Sequence, residues 1–518
     1  MVHAVSIEAQ RPDNDADDKA TLHALGYAQE LLRGMRTFQN FAVSFSIICI
    51  LGGGINSFSQ GIGSLGGGAI GIGWMVGAVG SMMVALAMAQ IGSAYPTAGG
   101  LYHWSSILGG RAYGWLTAWF NLIGLVAVLA AINVGTFTFL IGAFPPEFGV
   151  KPGTASTLLN GPVQAVTVVA MTVTQGLLNH YGIRLTTKVT DISGYLIFAF
   201  SIALAIAALA YAPHIDVTRL WTFANYSGDA GGGVWPHSDS LVYLFVLCLM
   251  LPAFTMTGFD ASAHTAEETV GAARAVPGGI IHSVLWSGVF GWIMLCAVIL
   301  AAPDLKNAAA QGADSLFAIL RAVLPKPLRL VFWFGILFAQ YCAGLATVTS
   351  ASRMIFAFAR DGGLPWSGAL RRVSPSWLTP VPAIWLAVTL SAAFTLYTPV
   401  YTTIVSVSVV FLYISYVMPV GAGLIVYRRS WTRMGPFDLG PAYRPIAVLS
   451  LIFCAVLLYS GVQPPNDQAL TVTVGGLILS AVVWFGVERH RFKGPPIIWN
   501  VRPLETELVA VENSMEEA

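Results

Sequence analysis

Two short stretches of this 518-residue chain hold its most chemically informative spacing. Leu51-Gly52-Gly53-Gly54-Ile55 sets three glycines in a row inside an apolar block. Phe254-Thr255-Met256-Thr257-Gly258-Phe259-Asp260, two residues after Pro252, leads through a glycine directly to a carboxylate. Each glycine costs a helix about 1 kcal/mol relative to alanine, so three together favour local unwinding. A packing motif needs small residues on one helix face only, whereas consecutive glycines occupy every side. Unwinding frees backbone groups. Free N–H groups at the start of a helical segment form a positive end, and free carbonyls at the finish of one form a negative end. A carboxylate held at the first stretch and an ammonium at the second is the chemistry on offer: a zwitterion site made mostly of backbone.

Side chains add a second group. Asp260, His264, Glu267 and Glu268 follow an i, i+4, i+7, i+8 spacing that puts them on one helical face. Ionisable groups at membrane depth are costly and face the bundle interior or a watery cavity. Glu267 and Glu268 have an alternative, a place at the membrane interface where they cap the helix or pair with Arg274. Thr347, Thr349 and Ser350 offer hydroxyl oxygens to a hard cation such as sodium, against the commoner habit of bonding their own backbone. Asn121, Asn133, Gln164, Gln175, Gln340 and Tyr341 either line a pocket or join helices, the latter being the usual role. The five cysteines lie far apart inside apolar blocks, and the nine histidines are scattered without an HExxH pattern. No metal, cofactor or catalytic motif is expected, so the membrane-enzyme reading has nothing to stand on.

The elements that must position these residues are transmembrane helices. Hydrophobic residues make up 56% of the chain and charged ones 10%, against roughly 25% charged in soluble domains. A net charge of +1 gives no reason to expect a nucleic-acid partner. Apolar blocks long enough for a crossing fall at about 38–62, 69–93, 112–143, 162–179, 189–212, 241–266, 279–302, 328–352, 382–397, 400–427, 444–461 and 468–487. An all-α fold of twelve transmembrane helices is expected, because backbone in lipid must satisfy its own hydrogen bonds. The broken spans are the first and the sixth, the offset that a 5+5 inverted repeat produces. The repeats then cover about 38–212 and 241–427, followed by two further spans, 444–487. Lysine and arginine concentrate on one side (Arg33, Arg36, Arg111, Arg184, Lys188, Arg353, Arg360, Arg371, Arg372 among them), which makes both termini cytoplasmic. Residues 1–30 and 489–518 read as polar, disordered cytoplasmic tails, with no signal peptide at the start. SLFAILRAVL has the spacing of an external amphipathic helix, and Arg353 to Arg372 that of an internal surface helix.

Three motifs at their expected span positions carry a family resemblance: YPTAGGLYHW (Tyr95–Trp104), GFDASAHTAEET with ARAVP (Gly258–Pro277), and SRMIFAFARDGGLP (Ser352–Pro365). From about Leu31 to Arg489 the chain resembles the amino acid–polyamine–organocation superfamily, especially its amino acid/choline branch with the GABA and choline permeases. The resemblance implies a leucine-transporter-like core working by alternating access in a cell (inner or plasma) membrane. It implies N–H donation to a substrate carboxylate from Gly53 and Gly54, flanked by Leu51 and Ile55. It also implies an aromatic gate at Phe254, and carbonyls of Phe254, Thr255 and Thr257 before Gly258 that take the amine. Asp260 and Glu267 are then gating or coupling residues. The implied cargo is a small amino acid or amino-acid-like amine, GABA first, with choline, polyamine or another organic cation as the alternative. Some proton-coupled relatives carry a lysine in mid-span five; here that place falls near Ile197, and Lys188 lies too close to the cytoplasmic end. The coupling ion is therefore H+ on family grounds, or Na+. Oligomeric state is not legible.

Overall fold

The computed structural model describes residues 11–150, 161–398, 400–499 and 505–516. The first ten residues of the expected N-terminal tail, and Lys151 of an expected outer loop, lie outside the described residues. The described chain is helical, with isolated β-bridges at Met35–Thr269 and Tyr427–Trp431 and no longer strand. Nine of its helical segments are long and apolar enough to cross a membrane. They include Thr37–Asn56, Ala69–Ala94, Leu185–Ala210, Ala272–Ala301, Lys326–Arg360 and Tyr401–Val426. Two shorter apolar helices, Leu241–Thr255 and Val381–Tyr397, join them. Pro162–His180 occupies the place of the fourth expected span.

Burial is arranged for lipid. Ile192, Tyr195, Ile202 and Ile206 project outward from the Leu185–Ala210 segment, while Asn40, Gln90, Asn121, Asn133, Gln175 and Gln340 are buried. Polar groups inside therefore need partners inside. Asn133 and Gln175 exchange amide hydrogen bonds of 2.9 Å each way, and Asn179 donates to the Leu345 carbonyl at 3.1 Å. These bonds tie Pro162–His180 to Arg111–Ala143 and Lys326–Arg360, each worth about 0.6 kcal/mol in membranes. Gly344 makes room for the pair, since a Cβ there would stand 2.2 Å from the Gln175 amide nitrogen.

Both broken helices are present. Thr37–Ile48 ends at Cys49, whose φ of 33° closes it in a left-handed turn, and helix resumes over Gly53–Asn56 and Phe58–Leu65. Leu241–Thr255 gives way to an open stretch around Gly258 before a short turn, Ala261–His264. Gly258 has φ 93°, and a Cβ on it would lie 2.2 Å from Ile47 Cγ2, so both conformation and close approach demand glycine there.

Three expectations need correction. The internal surface helix over Arg353–Arg372 does not form: Lys326–Arg360 is one helix, and Arg353 is fully buried inside it. Nothing between Ser352 and Arg360 breaks a helix, and MIFAFA supplies a continuous buried surface. The N-terminal tail is helical over Arg11–Ala24, and part of the C-terminal one over Glu505–Glu516. These terminal helices meet through His23 Nε2 and Glu512 Oε1 at 2.8 Å, placing the two helices on one side of the bundle. The amphipathic helix expected at SLFAILRAVL forms, over Ser315–Val323.

Candidate functional site

The two breaks face each other across a small cavity. Gly52, Gly53, Cys49 and Asn56 line it from the first broken helix, Phe254 and Thr257 from the second. Val128, Ala131 and Ile132 from Arg111–Ala143, Gln340 and Ala343 from Lys326–Arg360, and Tyr401 complete the wall. The cavity volume is about 20 Å³, enough for a water molecule and too little for an amino acid. The site is closed.

Hydrogen bonds sort the backbone groups. Gly53 donates to the Cys49 carbonyl at 3.0 Å and Gly52 to the same oxygen at 2.6 Å. The Gly54 N–H makes no hydrogen bond to another described residue. Of the two glycines expected to donate N–H groups to a carboxylate, Gly53 has its own already engaged, because the chain breaks at Cys49 and Gly53 belongs to the tightening turn. On the second helix the Phe254 carbonyl accepts from the Thr257 N–H at 3.2 Å and the Thr257 hydroxyl at 2.7 Å. The Thr255 hydroxyl returns to the Leu251 carbonyl at 2.7 Å, while the carbonyls of Thr255 and Thr257 take no bond from a described residue. Those two carbonyls, not that of Phe254, are the available acceptors.

Gln340 was only one of several undecided polar residues in the sequence. Its Nε2 donates to the Leu51 carbonyl and its Oε1 accepts from Asn56 Nδ2, both at 3.1 Å, so one side chain clamps the first break from either side. Asn56 and Tyr401 carried no signal in the sequence. They are shared between the cavity and a larger vestibule of about 240 Å³ on the side away from the termini, lined also by Ile55, Ser59, Gln60 and Phe317. The Tyr401 ring meets Phe254 edge-on at 6.2 Å, and its hydroxyl lies 3.2 Å from Ser57 Oγ. Tyr401, with Phe254 packed against its ring, stands between cavity and vestibule.

On the terminus side the seal is thick. Glu267 holds Arg360 in a two-bond pair (2.8 and 3.0 Å) and accepts the Ala98 N–H at 3.0 Å. Glu268 holds Arg353 likewise at 2.8 and 3.2 Å, with both side chains 0% exposed. Asp361 accepts from Tyr27 and Tyr102, each at 2.8 Å. The helix carrying the acidic cluster ends at Thr265, so the expected single face splits: Asp260 and His264 stay together, while the two glutamates diverge to different arginines rather than Arg274. The Tyr95–Gly100 turn feeds its Ala98 peptide into this seal. Thr347 bonds the Ala343 carbonyl at 2.8 Å, Thr349 bonds Asn179 at 2.7 Å, and the Ser350 hydroxyl has no partner among the described residues. Two of the three hydroxyls are thus already committed to protein acceptors.

A polytopic helical membrane protein whose two broken helices meet at a small internal cavity, with buried ion pairs on one side and an aromatic pair on the other, has the build of a membrane carrier. The chain belongs to the amino acid permease family, whose sequence profile matches residues 35–487. The amino-acid permease BAT1 of Arabidopsis thaliana is 31% identical over 504 residues, covering 92% of this chain and 95% of that protein. The BAT1 homolog of Oryza sativa subsp. japonica is 30% identical over 507 residues, covering 92% and 95%. The GABA-specific permease of Saccharomyces cerevisiae is 30% identical over 386 residues, covering 72% of this chain and 64% of that protein. The chain is therefore an integral membrane permease of amino acids and not an enzyme.

Proposed function

We propose that this permease imports a small amino acid, GABA first among candidates, by alternating access coupled to protons. The carrying observation is the meeting of the two breaks at one cavity, lined by Gly52 and Gly53 from one helix and by Phe254 and Thr257 from the other, with the unbonded Gly54 N–H next in the chain on the first and the unbonded Thr257 carbonyl on the second. A carboxylate is drawn to the first and an ammonium to the second. An organic cation such as choline leaves the first break without a partner. Likeness to a GABA-specific permease supports GABA, and the short, apolar wall of Val128, Ala131 and Ile132 suits an unbranched chain.

In this reading twelve spans form a 5+5 inverted repeat plus two, the termini are cytoplasmic in the cell membrane, and the vestibule opens outward. Lysine and arginine bias supports that orientation. The structure is then an inward-sealed state, and transport exchanges the Phe254–Tyr401 gate for the Glu267–Arg360 and Glu268–Arg353 pairs. Protons are favoured over sodium as coupling ion because Thr347 and Thr349 already bond protein acceptors, whereas Asp260 is fully buried beside the second break. The test is labelled-GABA uptake into proteoliposomes. Saturable accumulation driven by an inward proton gradient is expected; accumulation that follows a sodium gradient alone would overturn the coupling.

A further inference from the structure

We infer that the coupling proton is carried by a pair, Asp260 and His264, that shares it between Asp260 Oδ2 and His264 Nε2 while the terminus side is sealed. The inference rests on the proton-coupled reading above and names its site.

The donors and acceptors leave little choice. His264 Nδ1 lies 3.1 Å from the Ala98 carbonyl, which only accepts, so Nδ1 carries a hydrogen. The other ring nitrogen, Nε2, faces Asp260 Oδ2 at 3.3 Å. A neutral imidazole with its hydrogen on Nδ1 presents a lone pair from Nε2, and an ionised carboxylate presents another. Two lone pairs in contact repel, so the sealed state requires one proton between them, drawn as imidazolium–carboxylate or imidazole–carboxylic acid. Both residues are 0% exposed, and loss of the proton leaves a net negative charge in a dry interior, a costly state.

Among the described residues, the surroundings offer that charge two neutral hydrogen-bond donors and no cation. Tyr416 donates its hydroxyl to Asp260 Oδ1 at 2.9 Å, and Asn121 donates Nδ2 to Oδ2 at 3.0 Å. The first broken helix brings Ser44, whose hydroxyl bonds the Phe259 carbonyl, and Lys326–Arg360 packs Ala346 near Ala261. Ala272–Ala301 brings Gly279 against Ser262, and Gly100 lies against the His264 ring. Among the described residues no lysine or arginine is within ion-pair distance of Asp260. The nearest charged system, Glu267 with Arg360, is one peptide away, and that peptide is the link: the Ala98 carbonyl meets His264 while its N–H meets Glu267. On the other side, the Gly258 N–H donates to the Tyr416 oxygen at 3.0 Å, joining the pair to the second break.

A proton therefore stabilises the sealed arrangement at both ends of this chain of contacts. It leaves from His264 to water when the terminus side opens and the Ala98 carbonyl withdraws. By linkage, whatever opens that side lowers the pair's hold on the proton by the same factor.

The experiment compares wild type with D260N, H264Q and Y416F in proteoliposomes, measuring proton-driven accumulation and substrate counterflow, which needs no net proton movement. D260N and H264Q are expected to catalyse counterflow but to accumulate no more than wild type with its gradient collapsed. Y416F, which removes one hydroxyl donor from Asp260 and tests the site even where the other variants fail to fold, is expected to displace the pH midpoint of accumulation. Proton-driven accumulation in D260N or H264Q with the wild-type pH profile, or an unmoved midpoint in Y416F, overturns the inference and leaves the proton-coupled reading standing. Wild-type accumulation indifferent to the proton gradient overturns both.

Discussion

Gly53 approaches Thr255 so closely that a Cβ on the glycine would stand 2.8 Å from the threonine Cα. That contact locks the two breaks together, and no side-chain rotation relieves it because the obstructing atom is backbone. Gly53→Ala is expected to force the broken helices apart, at an overpacking cost of about 1–3 kcal/mol, and to reduce uptake to near the level of empty liposomes. At Gly54 an added Cβ meets nothing nearer than Leu295 Cδ1 at 3.6 Å. Gly54→Ala keeps the N–H and is expected to retain most uptake, whereas Gly54→Leu is expected to lose it. Initial rates for the three variants, normalised to inserted protein, check this ordering.

Cys49 gives the gate a built-in reporter. It lines the cavity and is buried, with Tyr401 between the cavity and the vestibule. Tyr401→Ala is expected to raise the rate at which a small membrane-impermeant thiol reagent modifies Cys49, and transported amino acid is expected to protect it. Tyr401→Phe keeps the ring that meets Phe254 and is expected to leave the thiol nearly as protected as in wild type. Mass spectrometry of the Cys49 peptide reads the difference.

Arg353 and Glu268 form a fully buried pair. Removing one partner strands the other's charge, at about 3–5 kcal/mol, whereas replacing both with apolar residues of similar volume avoids that penalty. Arg353→Met is therefore expected to lower the thermal midpoint of the purified protein sharply, and Arg353→Met with Glu268→Met to recover much of the loss. A double variant no more stable than the single one contradicts the pairing.

The sequence made the breaks legible because glycine runs and a glycine before a carboxylate act locally, through propensity and backbone freedom. It placed the first break at the glycines themselves. The chain turns earlier, at Cys49, because the Cys49 carbonyl collects the Gly52 and Gly53 N–H groups. Gln340, Asn56 and Tyr401 matter only through which helices adjoin them, and no single-chain spacing records that. Arg353 misled for a related reason: in sequence it ends an apolar block, but a buried Glu268 from another segment allows it to stay inside. His264 stood beside Asp260 at helical spacing in the sequence, yet the constraint that gives it a role comes from the Ala98 carbonyl of a different turn.

The claim that two opposed helix ends recognise a zwitterion is tested most directly by competition in a counterflow assay. Proteoliposomes loaded with unlabelled GABA take up labelled GABA against a panel that keeps or deletes each charge: small amino acids, the matching amines, the matching carboxylic acids, choline and a polyamine. Competition by compounds bearing both a carboxylate and an ammonium, with little from those bearing one, is the predicted result. Choline or polyamine counterflow that amino acids fail to inhibit would contradict it.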